Sequence, residues 1–319
     1  MTTQLQYGMG GERPYSLYYE HSGKTPIVSI ILAGIAGVVA GIVLALVYAY
    51  IDAWCPYAKG RAVATLFFGI GVGGATAAIA KAGKVRSLAV VLALVATATF
   101  VAYYFSWIFF IHAALERFAD GQSASRLPTL SRLIFSPLVL FRMIQIFNES
   151  GYWSMSSSGK DAATGIGLTL IWIAEAACIF GGALTVAYST ARSNMFCESC
   201  NRWCSKPVTL RNTAAGDIDR ARQTLEAHDF TYLNSLGPAS DVKRYWSIEY
   251  EHCTHCNNVH AITLKIHLNT VDKKGVIKAK KVKTGIERLL VDAEEIEALR
   301  NPAPVPVAAP APPETQQPQ

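Results

Sequence analysis

Charge is scarce in this chain, and scarcest in its first half. Lys, Arg, Asp and Glu make up 16% of the 319 residues, against about 25% in soluble domains. From Pro26 to Ile51 there is none. A run of that length without charge excludes a wholly soluble protein. Catalytic signatures are missing too: there is no G-x-x-x-x-G-K-[ST], no H-E-x-x-H and no G-x-S-x-G. That removes phosphate-loop, zincin and hydrolase-elbow chemistry, and points away from an enzyme. The first 25 residues lack the basic-then-apolar order of a cleavable signal peptide, so the first apolar run is expected to stay in the membrane. The cysteines number seven, an odd count that does not suit a disulfide framework.

What is present divides the chain near Arg192. Before it stand four apolar runs, at about 26–51, 62–80, 87–113 and 162–188. Each approaches or exceeds the roughly 20 residues that cross a bilayer as a helix. Residues 1–25 form a tyrosine-bearing tail, and 26–191 a four-span domain. Ala33, Gly37 and Gly41 recur every four residues, and glycines crowd 69–74 and 165–182. Such faces let helices approach closely. Segment 127–147 is apolar but broken by Pro128 and Pro137, with only nine residues between Arg132 and Arg142. It reads as an amphipathic or re-entrant helix pair.

Glu175 lies near the middle of the fourth run. A carboxyl at that depth faces a partner or a cavity. Two readings stand: a hydrogen bond to a Thr, Ser or Tyr of a neighbouring span, or a polar site in a small transporter or channel. His112, at the interfacial end of the third run, reads as structural.

After Arg192 the charge is concentrated, including lysines 273, 274, 278, 280, 281 and 283. Asp217 is placed to cap a helix over 218–228 that turns Ile218, Ala221 and Leu225 to one side. Residues 244–251 and 259–268 alternate as strands, and a third strand is expected over 276–283. Asp292 and Glu295 form a capping box for a last short helix. Residues 302–319 hold half of the 14 prolines and read as an extended, disordered tail.

Cys197–Cys200 and Cys253–Cys256 are both C-x-x-C pairs, the second at the turn between two predicted strands. That spacing lets both sulfurs of a pair reach one ion about 2.3 Å away, and four thiolates close the shell. A closed shell leaves no place for a substrate water, so the site is structural rather than catalytic. The two knuckles and the strands around the second resemble a zinc ribbon. The resemblance implies one Zn ion held by Cys197, Cys200, Cys253 and Cys256. Cys204 extends the first pair to C-x-x-C-x-x-x-C. It is a candidate additional ligand or redox thiol, and it keeps an iron–sulfur cluster open as the alternative.

The expected protein is an α-helical membrane bundle of four transmembrane helices followed by a small α+β zinc-ribbon-like domain over 192–301. Its leading role is that of a scaffold, regulator or partner-binding module. The alternatives are a small transporter or channel using Glu175, and a membrane redox protein using the cysteines. Thiolate ligands need a reducing compartment, and an even number of spans puts both ends on one side. Both termini are therefore expected in the cytoplasm, with the spans in the inner (plasma) membrane. Lys and Arg divide almost equally between the two sides and decide little. The expected partners are membrane lipids, an unidentified protein at the cytosolic domain, and a second copy of the chain. The net charge of +6 admits nucleic acid, but no aromatic platform interleaves the lysines, so nucleic acid is not favoured.

Overall fold

The computed structural model describes residues 16–55, 58–118, 128–151, 153–154 and 162–300. The tail expected over 302–319, and the first fifteen residues of the N-terminal tail, lie outside them. The chain forms two units. One is His21–Ser193; the other joins the segment ending at Glu20 to the chain from Asn194 onward.

The first unit is helical, with α1 (Ile27–Trp54), α2 (Ala58–Ala82), α3 (Leu88–Phe118), α4 (Leu130–Phe135), α5 (Pro137–Ser150) and α6 (Gly165–Arg192). Four of these, α1, α2, α3 and α6, are long and apolar enough to cross a membrane. Their packing inverts that of a soluble bundle. Small residues such as Ala33, Ala45, Ala49 and Ala183 fill the interior, while Ile27, Phe67, Phe100 and Ile166 point outward. Lipid tails are as apolar as a helix interior, so close backbone approach, not hydrophobic collapse, holds such helices together. The stripe Ala33, Gly37, Gly41 serves this purpose. Gly37 meets Thr76 of α2, and Gly41 meets Ala98 and Ala102 of α3.

The helices outrun their apolar windows. The second helix continues to Ala58 and Ala82, with Lys59, Arg61 and Lys81 in its end turns. The fourth starts later than 162. Ala162–Ala163 (β2) instead pairs with Trp153–Ser154 (β1). The helix begins at Gly165, which turns the chain with φ +58°. The broken segment is a helix pair: Thr129 caps α4 by accepting from the Arg132 N–H, and Pro137 opens α5. Leu133 and Leu140 are buried with Ile108 and Ile111 of α3, while Phe135, Leu138 and Phe141 stay exposed.

The second unit is built on a four-stranded antiparallel sheet in the order β5 (Val208–Ala214), β6 (Arg244–His252), β7 (His260–Val271), β8 (Ile277–Leu290). A small hairpin, β3 (Phe196–Cys197) with β4 (Arg202–Trp203), precedes it. Helices α7 (Ile218–Glu226), α8 (Thr231–Ser235) and α9 (Ala293–Arg300) supply the rest of the core. Trp246, Ile248 and Tyr250 of β6 and Ile262 and Leu264 of β7 are buried with Ala221, Leu225, Leu233 and Leu299 of those helices. Asp217 caps α7 through the N–H groups of Asp219 and Arg220. Glu295 reaches back to the Asp292 N–H at 2.7 Å, the side-chain half of a capping box.

Besides β3, β4, β5 and α8, which the sequence reading did not expect, two features of this unit differ from it. The last strand runs to Leu290, well past 283, and it does so through register shifts that let it follow the twisted β7. Leu17–Tyr19, read as part of a loose tail, adds to the free edge of this strand. Tyr19 N–H donates to Arg288 O, and Leu290 N–H to Leu17 O, each at 2.9 Å. An edge strand offers unpaired donors and acceptors, and this segment takes them up.

Candidate metal centre

The two knuckles are built alike. In the first, β3 and β4 pair Phe196 with Trp203 and Cys197 with Arg202, and the Phe196 and Trp203 rings meet edge to face at 5.0 Å. In the second, the last residues of β6 and the first of β7 close a turn: Cys253 N–H donates to Val259 O at 3.1 Å, and Asn257 N–H to Cys253 O at 3.0 Å. The residue after each second cysteine is an asparagine in the left-handed region, Asn201 with φ 52° and Asn257 with φ 53°. Ser205 stitches the knuckles together, its N–H donating to His252 O at 2.9 Å.

This brings four sulfurs to one point. The Sγ atoms of Cys197, Cys200, Cys253 and Cys256 all lie within 4.8 Å of one another, and those of Cys197 and Cys256 are 3.5 Å apart. Sulfurs around a tetrahedral ion with 2.3 Å bonds stand roughly 3.8 Å apart, so the quartet has the right size for a metal. Cys197 and Cys253 are buried, and Cys200 and Cys256 half-buried.

The electrostatics agree with the geometry. A hydrogen bond with the Cys256 side chain leads the effects that push the Cys200 thiol up to about 12. Burial pushes the Cys197 thiol up as well. Burial also opposes ionisation of Cys253, yet the N–H groups of Cys256 and His255 aimed at its sulfur outweigh it and bring that thiol down to about 7. Four sulfurs this close repel one another once ionised, and only a cation lets all of them be thiolates together. The donor set therefore fits a metal ion. An all-sulfur tetrahedral set suits Zn or Fe.

Cys204 is placed differently. It is buried with Met195, Val259 and Ala261 behind the knuckles, and burial raises its thiol above the ordinary range. His260, beside the second pair, is engaged elsewhere. His260 makes hydrogen bonds of 2.6 Å with Tyr250 OH and Asn257 O, and its ring lies parallel to those of Tyr250 and His252. Glu175 sits in α6 and accepts a hydrogen bond from Tyr48 of α1, the interhelical contact that one of its two readings required.

Three supporting residues escaped the sequence reading. Glu251 and Arg288 are buried together at 3.2 Å, and Glu251 also accepts from the Met195 N–H at the foot of the first knuckle. Tyr19 packs against the cysteine cluster, accepting from the Phe196 N–H at 2.8 Å. The strand alternation around Glu251 gave no reason to bury a charge. The asparagine that follows each pair, as C-x-x-C-N, went unread too, and it is the sequence mark of the Asn201 and Asn257 turns. No protein family, curated protein or solved structure matches this chain.

Proposed function

We propose that the second unit is a zinc-ribbon-like module held by one structural Zn ion on Cys197, Cys200, Cys253 and Cys256, and that the protein is a membrane-anchored scaffold or regulator. The module presents a binding surface to a partner protein. The four spans fix it at the inner (plasma) membrane, with both termini in the cytoplasm, where thiolates stay reduced. The observation that carries this reading is the closed quartet of sulfurs: four protein donors fill a tetrahedral shell, and a filled shell stabilises a fold instead of activating water. The lysines of β8 and the β7–β8 turn are read as a solvated face, and nucleic acid is not part of the proposal.

Metal analysis of the purified full chain tests it. One Zn per chain is expected, together with a colourless protein. The Cys253→Ala/Cys256→Ala double variant should lose the ion yet still insert in the membrane. Its loss of an in-cell crosslink to a cytosolic protein that the wild type forms supports the partner-binding role. Iron in stoichiometric amount, with visible absorbance, or metal retained in the double variant, overturns the assignment.

A further inference from the structure

The helical unit has a polar cavity at one end of the bundle. Asp52 and Tyr48 of α1 line it, with Tyr103 and Ser106 of α3 and Glu175 of α6, and Trp107 and Trp172 form its apolar wall. These indoles meet edge to face at 5.0 Å. The volume is about 20 Å³, and a cavity of roughly 10–15 Å³ already holds one water.

Its acidic groups are not equally served. Glu175 accepts a hydrogen bond from the Tyr48 hydroxyl. Asp52 is buried, 8% exposed, and its Oδ1 has no hydrogen-bond partner among the described residues. Arg61 of α2 is the cation beside it, with Nε 3.7 Å from that oxygen. The Nε–H points to Cys55 O instead, at 2.8 Å. A buried carboxylate oxygen without a hydrogen bond, on a residue that lines a water-sized polar cavity, calls for a donor. The charges among the described residues ask for the same thing: one guanidinium faces two carboxylates in a low-dielectric site, which favours a bound proton.

We propose that this cavity is a proton-binding site, in which one ordered water links Asp52 Oδ1 to Glu175 and the two carboxyls share one exchangeable proton. Uptake forms an O–H bond on a carboxylate oxygen and breaks one on hydronium; release reverses it. The charged and titratable groups facing the site are Tyr48 and Asp52 from α1, Arg61 from α2, Tyr103 from α3 and Glu175 from α6. The site is independent of the cysteine cluster, so its failure leaves the metal assignment standing.

Infrared difference spectroscopy of the full chain in lipid nanodiscs tests the proposal through the carboxylic acid C=O stretch. One band should grow on acidification and shift in D₂O. Glu175→Gln should abolish it. Asp52→Asn removes a negative neighbour, so the midpoint should move to lower pH. Tyr48→Phe removes the donor that favours the ionised form, so the midpoint should move to higher pH. Each variant is compared at wild-type helicity and elution volume, and Tyr48→Phe, which loses only a hydroxyl, serves if the others misfold. A wild type with no titrating band overturns the site. So does a band that survives Glu175→Gln, or midpoints that neither Asp52→Asn nor Tyr48→Phe moves. A band that responds to Na⁺ against choline at fixed pH makes the occupant a metal cation and overturns the proton assignment.

Discussion

Asn201 and Asn257 occupy the same place in the two cysteine knuckles, each one residue past the second cysteine, with φ of 52° and 53°. The left-handed backbone turns the chain back after each pair and keeps both sulfurs on the metal side. Asparagine tolerates this conformation; a β-branched residue does not, and the penalty is about 1–2 kcal/mol. Asn201→Val or Asn257→Val should therefore lower the stability of the sheet unit by that amount, read by thermal unfolding. Glycine at either place should be close to neutral. Valine variants that melt with the wild type would contradict the shared geometry.

Removing the metal should unfold the sheet unit and spare the helices. Structural thiolate sites contribute on the order of 10 kcal/mol to folding, and this unit leaves two of its four sulfur donors only half-buried. A strong chelator should abolish near-ultraviolet circular dichroism from Trp203 and Trp246 while far-ultraviolet helicity falls only slightly. The effect should deepen as pH falls, because protons compete with the ion for the thiolates. A chelator-resistant unit would mean that the sulfurs need no ion.

The four long helices and the second cysteine turn are legible in the sequence. Charge-free runs longer than a bilayer leave a helix few alternatives, and Cys253–Cys256 fell at a hairpin turn because alternation on either side marked two strands. The illegible parts have a common cause: they depend on partners distant in sequence. Val208–Ala214 became a strand by pairing with β6, although its own pattern of burial is irregular. Tyr18 and Tyr19 found the edge of β8 about 270 residues away. Glu251 is buried against the alternation because Arg288 and the Met195 N–H satisfy it. Asp52 stands just past a charge-free run, and only the packing of α1 against α2 and α3 buries it.

His267 gives the sheet a pH dependence of definite sign. Its ring stacks on Tyr245 at 4.4 Å, and its Nε2 is 2.7 Å from the Ser247 hydroxyl. Burial, helped by Lys280 and Lys265 and opposed by Glu249, holds its pKa below the usual 6.5. The unfolded chain therefore takes up the proton first. The contribution is complete above about 6.5 and is lost as pH falls through that value toward the folded pKa. Burial displaces His252 the same way. Denaturant melts on the metal-loaded protein should thus show stability falling below pH 6.5, with a shallower slope in His267→Gln. An unchanged slope in that variant would assign the effect to other groups.

The sharpest test of the bundle lies where α2 crosses α6. Gly69 and Gly73 are one helical repeat apart, and so are Ile179 and Ala183 opposite them. A Cβ on Gly69 would fall 2.3 Å from Ile179 O, and one on Gly73 would fall 2.4 Å from Ala183 O. Both obstacles are backbone, which cannot rotate aside as a side chain can. The helices must separate, and every contact along the crossing weakens. Gly69→Ala and Gly73→Ala should each destabilise the bundle by roughly 1–3 kcal/mol, measured by detergent-driven unfolding in mixed micelles. Gly181 of α6 provides the control, because a Cβ there meets nothing within 4 Å. Alanine at 181 should even help slightly, since it favours helix over glycine. If all three substitutions behave alike, then glycine content and not close approach governs the bundle, and α2 does not cross α6 where the structure places it.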